Sequence, residues 1–426
     1  MRYARPMSKI RNPDAVAYLY CLVVLIAFNL AYHGFYWVPL QWKLSKQMGL
    51  KAGEVSWFSL LEDIPAWVGF VFGFVRDRWR PWQLGDRAYF LIGAPLMALV
   101  YIGLAFCPPS YGSLLFWAAA QTFMQAFLGA ATGGLMASVA QWHGMTGRIG
   151  ALTVVTASLV NMLASSLGGM LDENFGHAAP NMISALVCLP MLLVAFWRPP
   201  AVFDIEHDLE AKAIHDHIGA SLLRLARHKA IYLPAAANFL WMFSPGWGTS
   251  LLFFFTDDRH LSEATYGNAS GLIKLGTLAS SLSYTWLCLR FPFRKLAYVG
   301  TVGGIVGAAL FWFTTDAPTA YVFSLLAGLS CGIPVGAYND LIIRSCPKEY
   351  EGAAFMLFAS AGFLASDVSD LFGAWLYDKG GFGLALLVTA ITTGLILVVL
   401  ALVSRKITDP VEGTPILEDL ELVVGV

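Results

Sequence analysis

Five charged side chains stand inside long apolar stretches of the sequence, where charges are rare. They are Glu62, Asp63, Lys274, Asp367 and Asp370. A charge in the middle of a bilayer is costly, so such residues either have a function or form a structural ion pair. A carboxyl group in apolar surroundings favours its neutral form and can carry a proton at neutral pH. The four acidic residues are therefore predicted to form a proton- or cation-coupling site.

Glu62 and Asp63 are neighbours, so their orientation depends on the local helix. Adjacent residues on a regular helix point about 100° apart, and both carboxyls face one groove only if the helix is distorted. Pro65 follows two residues later and disturbs helical hydrogen bonding. Which carboxyl faces the groove stays open, and an ion pair or a helix cap is the alternative to proton transfer.

Lys274 is the cation among these residues, and it needs either a carboxylate partner or an anionic ligand to keep its charge. A structural ion pair and a binding group for an anionic solute are both open. Asp367 and Asp370 are three residues apart and share one helix face. For Asp370, a structural role near the loop that contains Asp378 is the stronger interpretation.

Polar and aromatic side chains at helical spacing are predicted to line a binding cavity. Tyr32, His33 and Tyr36 share a helix face, as do Gln121 and Gln125. Aromatic rings can stack on a flat solute, but they also pack helices together, and a histidine in such a place is often structural. Together with Lys274, the predicted binding residues are Tyr32, His33, Tyr36, Gln121, Gln125, Asn238, Trp241 and Trp247.

The composition indicates the elements that must position these residues. Of the 426 residues, 57% are hydrophobic and 13% are charged, and the mean hydropathy is +0.63. Soluble proteins carry about a quarter charged residues. The net charge of -1 gives no field that would attract nucleic acid. The six cysteines lack the spacing of metal sites or disulfide frameworks, and we expect no metal site. The chain is thus predicted to be a polytopic membrane protein.

Twelve stretches are long and apolar enough to form membrane-spanning helices. They are residues 15–38, 55–75, 88–107, 112–137, 148–171, 179–197, 231–255, 268–289, 296–314, 319–342, 351–377 and 382–403. Most of the 27 Lys and Arg residues fall in segments that share one side with the two termini, which predicts that both termini are cytoplasmic.

The polar stretch between the sixth and seventh spans divides the chain into two halves. We predict an N-terminal six-helix bundle at 1–197 and a cytoplasmic linker with an amphipathic helix at 198–230. A C-terminal six-helix bundle at 231–405 and a cytoplasmic tail at 406–426 complete the predicted organisation.

A loop motif follows the second span. Gly73-x-x-x-Asp77-Arg78 combines a residue that allows close helix contact with a carboxylate that can accept hydrogen bonds at a helix N-terminus. With twelve spans in a 6 + 6 arrangement, this loop resembles the signature loop of the major facilitator superfamily, although Arg80-Pro81 replaces the usual second glycine. The resemblance implies a latch that closes one face of a transporter. The predicted latch residues are Gly73, Asp77, Arg78, Arg148 and Asp340.

Two stretches are similar to the folate–biopterin transporter family. The first, residues 63–91, contains Ile64-Pro65-Ala-Trp67, and the second, residues 346–376, begins with Cys346-Pro347. Asp86-Arg87-Ala88 departs from the family, which has consecutive arginines and a proline there. The resemblance makes pterins and folates candidate solutes. The first stretch also resembles the glycoside–pentoside–hexuronide symporters.

The sequence therefore predicts an all-α polytopic membrane protein with 12 transmembrane helices in two pseudo-symmetric six-helix bundles, the major facilitator fold. The predicted function is secondary active transport, proton-coupled, of a small anionic organic solute such as a folate, a pterin or another carboxylate, by alternating access. A cation-coupled sugar symporter, in which Glu62 and Asp63 would bind Na⁺ or H⁺, is one alternative. A pigment-delivery or assembly factor that does not transport is another.

The remaining expectations concern chemistry and partners. We expect no enzymatic activity and no cofactor, because nucleotide-binding and hydrolase motifs are missing from the sequence. The driving force would be a proton gradient, or Na⁺. The expected partners are a small-molecule solute and the lipid bilayer, and no nucleic acid is expected to bind. We expect a monomer, located in the inner membrane of the cell if the source is bacterial.

Overall fold

The computed structural model is almost entirely helical in the residues that it describes. These are residues 13–50, 52–79, 81–203, 231–347 and 350–408. Most of the predicted linker helix and of the predicted C-terminal tail lies outside them.

The first half contains ten helices in its described residues. They are α1 (Pro13–His33), α2 (Trp37–Trp42), α3 (Ala52–Glu62), α4 (Ile64–Trp67), α5 (Phe70–Arg78), α6 (Asp86–Phe106), α7 (Tyr111–Trp142), α8 (Thr146–Phe175), α9 (Ala178–Val187) and α10 (Pro190–Phe196). A π-helical turn, Lys43–Gln47, follows α2.

The second half has seven helices in its described part. They are α11 (Tyr232–Met242), α12 (Thr249–Phe253), α13 (Glu263–Leu287), α14 (Phe293–Leu310), α15 (Ala317–Ser345), α16 (Glu351–Leu402) and α17 (Arg405–Thr408). A π-helical turn, Phe254–Asp258, follows α12.

Eight helical segments of the described residues are long and apolar enough to cross a membrane: α1 with α2, α6, α7, α8, α9 with α10, α14, α15 and α16. One of them, α16, contains both the eleventh and the twelfth predicted spans, which join at Gly381 with a φ of +68°. The second and seventh spans are absent from this set because proline and glycine residues divide them into shorter helices. The eighth span is α13, a continuous helix of 25 residues that carries Lys274. The twelve predicted spans are thus accounted for.

Polar side chains fix several helix starts. Ser110, Ser262 and Asp316 each accept a hydrogen bond from the backbone N–H three residues further on, at the N-termini of α7, α13 and α15. A side-chain acceptor at this position satisfies an N–H that has no partner within the helix. The long apolar stretches therefore begin as helices at defined residues.

The two halves meet along α8 and the first part of α16. The helix α16 packs against α5 and α7, while α8 packs against α13 and α15. The second and eleventh spans are neighbours, as the sequence predicts for Glu62, Asp63 and Asp367. We call the end of the bundle that contains Asp77 the Asp77 end, and the opposite end, which contains α2, the Trp37 end.

Candidate substrate cavity and latch

The second span is interrupted at the acidic pair. The helix α3 ends at Glu62, Asp63 lies in the turn before α4, and another break follows at Val68–Gly69. Pro65 stands in the first turn of α4, where its missing N–H costs no hydrogen bond, and the N–H of Ala66 donates to the carbonyl of Asp63 at 2.9 Å. Because the helix is interrupted here, both carboxyls reach one cavity.

That cavity has a volume of about 240 Å³ and extends to the turn between α1 and α2. Its walls are formed by residues 32–38, Glu62, Asp63, Thr122, Gln125, Asn161, Ala164 and Phe363. The structure thus brings together four of the predicted binding residues, Tyr32, His33, Tyr36 and Gln125, with two of the predicted coupling residues. Aromatic and amide groups face the same space as two carboxyls.

Gln121 supports the wall from behind. It is fully buried, its Nε2 donates to the carbonyl of Tyr32 at 2.9 Å, and its Oε1 accepts from the hydroxyl of Tyr36 at 3.0 Å. The hydroxyl of Tyr101 donates to the carbonyl of Ala31 at 2.8 Å in the same network. Gln121 therefore orients the aromatic residues of the cavity without lining it.

Glu62 and Asp63 form the acidic side of the cavity, and Asp367 of the second half lies close to them. Glu62 is only 3% exposed, and among the described residues its Oε2 has no hydrogen-bond partner. The charges of Glu62, Asp63 and Asp367 are close enough to interact. Asp367 accepts a hydrogen bond from Trp67 Nε1 at 2.7 Å, which joins α16 to α4. Three carboxyls therefore share one apolar region with few donors, an arrangement that favours a bound proton or cation.

The basic side of the cavity centres on Asn161. The half-buried Lys274 donates from Nζ to Asn161 Oδ1, and Asn161 Nδ2 lies 3.2 Å from His33 Nδ1. Among the described residues, no carboxylate is placed as an ion-pair partner of Lys274. A structural ion pair, one of the two interpretations left open for Lys274, is therefore not seen among the described residues, and Lys274 reaches the cavity wall through an amide.

Asp370 is not among the residues that line this cavity, and it holds the break in the seventh span. Its carboxylate accepts from the N–H of Thr249 at 2.8 Å and from Thr249 Oγ1 at 2.7 Å. The preceding Gly248 has a φ of +63°, and a Cβ there would collide with the Asp370 carboxylate. Asp370 thus stabilises the start of α12, and the coupling role predicted for it stays a prediction.

Three predicted binding residues also lie outside the cavity walls. Asn238 Nδ2 donates to the carbonyl of Phe358 at 3.0 Å. The ring of Trp241 lies 5.1 Å from that of Tyr338, and Trp247 packs edge-on against Phe311. These contacts pack α11 and the turn before α12 against other helices of the second half.

The latch residues bring the two halves together at the Asp77 end. The Asp77 carboxylate accepts from the N–H groups of Gly352 and Ala353, at 3.1 and 2.8 Å, at the N-terminus of α16. A Cβ at Gly73 would overlap the carbonyl of Gly352. Arg76 binds Asp77 at 2.9 Å within the first half. A charged acceptor at a helix N-terminus is favourable, so this contact joins the two halves at the Asp77 end, while the latch role of these residues stays a prediction.

A further buried ion pair lies at this end, within α15. Arg344 Nε lies 2.6 Å from Asp340 Oδ1, and both side chains are buried. The hydroxyl of Tyr284 donates to Asp340 Oδ2 at 3.1 Å. Arg78 and the half-buried Arg148 lie at the same end, in α5 and α8.

Sequence reasoning missed several residues that shape the site. Asn161, Trp67 and Phe363 were passed over because single amides and aromatics are common in membrane helices. The polar Asn161 within an apolar span was the available signal. Among the residues that the structure describes, no group of three His, Cys, Asp or Glu side chains is placed to hold a metal ion.

The fold is similar to that of several solved transporters. The proton:xylose symporter XylE superposes with a TM-score of 0.70 at 12% identity, covering 96% of this chain and 99% of that chain. A bacterial homologue of the iron transporter ferroportin in an outward-facing state gives 0.69 at 16% identity, covering 92% and 98%. The human organic anion transporter MFSD10 (TETRAN) gives 0.66 at 16% identity, covering 92% and 99%.

The sequence comparisons identify the family. No curated protein matches the chain significantly. A family model described as Major Facilitator Superfamily matches residues 19–369. This range contains the latch, the cavity and the contact between the halves. The chain belongs to the major facilitator superfamily.

Proposed function

We propose that the protein is a proton-coupled secondary active transporter that moves a small organic solute through the cavity that Glu62 and Asp63 line. The two halves would alternate between opening at the Trp37 end and opening at the Asp77 end. The observation that carries the proposal is the carboxyl of Glu62, which lines the cavity, is 3% exposed and has an Oε2 without a partner among the described residues. Such a group binds a proton more readily than it holds a bare charge.

The solute is proposed to carry a negative group. Lys274 has no carboxylate partner in the described residues and bonds to Asn161, which lines the cavity. A negative group near Lys274 and His33 would offset the cost of placing the ammonium in the membrane. Folates, pterins and smaller carboxylates are therefore the first solutes to test.

The remaining features of the proposal concern topology and driving force. The Asp77 end would face the cytoplasm together with both termini, because most Lys and Arg residues fall on that side. The protein would work as a monomer in the cell membrane, with H⁺ as the coupling ion.

The test begins with a ligand search on the full-length protein in detergent. Folates, pterins, small carboxylates, sugars and Na⁺ are added separately, and the unfolding temperature is recorded. A ligand at 100 times its Kd stabilises the folded protein by about 2.7 kcal/mol. Each solute that binds is then added to proteoliposomes that contain a pH-sensitive dye, without Na⁺. We expect the solute to drive proton entry.

The matched variants are Glu62→Gln and Glu54→Gln, two substitutions of the same type in α3. Glu54 is exposed near the start of the helix, whereas Glu62 lines the cavity. We expect Glu62→Gln to abolish proton entry while ligand binding persists, and Glu54→Gln to behave like the parent protein. Proton entry that is unchanged in Glu62→Gln would refute the proposed coupling. Uptake that requires Na⁺ and sugar would favour the sugar symporter.

A further inference from the structure

The structure contains a repeat that relates the first two spans of each half. The π-helical turn begins at Lys43 in one half and at Phe254 in the other, an offset of 211 residues. The following helices begin at Ala52 and Glu263, which have the same offset. Their five-residue turns, Lys43–Gln47 and Phe254–Asp258, have no identical residue in register. The repeat is therefore one of backbone geometry.

Backbone details confirm the register. The N–H of Leu50 donates to the carbonyl of Leu44 at 3.1 Å, and that of Leu261 donates to Phe255 at 2.9 Å. The residue before each leucine has a positive φ, +67° at Gly49 and +52° at His260. These pairs all keep the same offset.

The breaks in the first and seventh spans follow the repeat as well. The N–H of Phe35 donates to Ser184 Oγ at 2.7 Å, and the N–H of Gly246 donates to Thr389 Oγ1 at 2.6 Å. Phe35 and Gly246 are again 211 residues apart. A hydroxyl from the last span of each half thus satisfies the N–H that each break exposes.

The same offset pairs Asp63 with Lys274. Each residue lies eleven positions beyond the start of the helix that follows the π-helical turn, counted from Ala52 and from Glu263. The two halves therefore place opposite charges at equivalent positions. Asp63 lines the cavity directly, and Lys274 bonds to Asn161 of its wall.

Neither charge is neutralised by the described part of the chain. Asp63 lies beside two further carboxyls, and the described residues place no cation against it. Lys274 has an amide as its hydrogen-bond acceptor and no carboxylate partner there. An unpaired charge in a partly buried site is costly, and a ligand that supplies the opposite charge removes that cost.

We propose that the transported solute is a zwitterion, with its cationic group at Asp63 and its anionic group at the Lys274–Asn161–His33 side of the cavity. This inference rests on the proposed function and specifies its solute class. Glu62 remains the proton site, because it is the more buried carboxyl, while Asp63 is available to the solute. The rings of Tyr32 and Tyr36 in the cavity wall favour the cationic end through cation–π contacts.

The test uses matched triplets that differ only in charge. One triplet is phenylalanine, phenylalanine amide and N-acetylphenylalanine, and the other is 4-aminobutyrate, its amide and its N-acetyl derivative. Binding of each compound to the full-length protein is measured by calorimetry and by thermal shift. We expect the zwitterion of at least one triplet to bind at least tenfold more tightly than both of its partners.

Charge variants assign the two ends. Asp63→Asn is expected to remove the preference for the zwitterion over the N-acetyl anion. Lys274→Gln is expected to remove the preference for the zwitterion over the amide cation. Asp63→Lys alone and Lys274→Asp alone are each expected to lose zwitterion binding. The double variant that combines them is expected to recover it. The controls are Asp378→Asn and Lys379→Gln, at exposed positions near the Trp37 end of α16. If the swapped protein does not fold, the two neutral variants decide the question.

Three outcomes would overturn the inference: tighter binding of an anion or cation than of its zwitterion, Asp63→Asn and Lys274→Gln variants with unchanged preferences, or no binding in either triplet. Proton entry driven by a simple anion would overturn the zwitterion class and leave the proposed transporter intact. Zwitterion binding that moves no proton in the parent protein would instead overturn the proposed coupling.

Discussion

Replacing Asp77 by Asn is expected to release the Asp77 end of the molecule. In the closed state the Asp77 carboxylate accepts from the N–H groups of Gly352 and Ala353, across the two halves. Its contact with Arg76 lies within the first half. That contact is present whether the halves are together or apart, so the bonds to α16 determine the difference between the two states.

The size of the effect follows from these two bonds. A hydrogen bond to a charged group contributes about 1.5–3 kcal/mol. Asparagine keeps one side-chain oxygen, so it can retain one bond, but it loses the second bond and the charge at the N-terminus of α16. We expect the closed state to lose about 2 kcal/mol, and this raises the open population about 30-fold where it is small.

Cys346 provides a native reporter of this opening. It lies at the Asp77 end, is 4% exposed, and its carbonyl accepts from Gln141 Nε2 of the other half at 2.8 Å. In a protein that retains Cys346 alone, the rate of alkylation by a maleimide measures the open population. We expect Asp77→Asn to react about 30-fold faster than the parent with the same single cysteine.

The exposed Asp378 supplies the matched control, because Asp378→Asn removes the same charge just before the kink at Gly381, at the Trp37 end of the molecule. Its alkylation rate should equal that of the parent. An Asp77→Asn protein that also reacts at the parent rate would show that the two hydrogen bonds do not hold the halves together, and the proposed latch would be wrong.

Three further predictions follow from buried contacts. Asp340→Ala removes the carboxylate that pairs with the buried Arg344 guanidinium and should lower the free energy of unfolding by about 3–5 kcal/mol, measured as a fall in the unfolding temperature, with Asp378→Ala unchanged. Asp370→Ala removes two hydrogen bonds from the start of α12 and should cost about 2–4 kcal/mol in the same assay. Trp67→Phe removes the hydrogen bond to a carboxylate in the other half and should accelerate alkylation of Cys346 about tenfold, while an unchanged rate would show that this bond does not oppose opening.

Most of the fold is predictable from the sequence because apolar length defines a membrane helix. For the second and seventh spans, hydropathy predicts the span but not the breaks within its helix. Each is apolar enough to be recognised, but proline and glycine divide it into pieces too short to cross a membrane alone. Hydropathy measures composition over a window and does not report where the helix axis changes direction.

The site is predictable only in part, for a different physical reason. Glu62 and Asp63 stand out because a charge in an apolar stretch is rare. Trp241 and Trp247 have the composition of a binding surface, but whether they face a cavity depends on which neighbour fills the space beside them. Here Tyr338 and Phe311 fill it. The sequence contains the residues and not their distances.

The repeat also escapes sequence comparison, and its chemistry explains why. The shared features are backbone conformations, such as the positive φ at Gly49 and His260, and many different residues can adopt them. Since the backbone fixes the position and not the residue type, equivalent positions are free to carry opposite charges. Asp63 and Lys274 are such a pair of equivalent positions with opposite charges, so the cavity has an acidic side and a basic side. A zwitterion bound in the reverse orientation would place like charges together, which disfavours that orientation. A symmetrical scaffold can therefore bind an asymmetrical solute in one orientation.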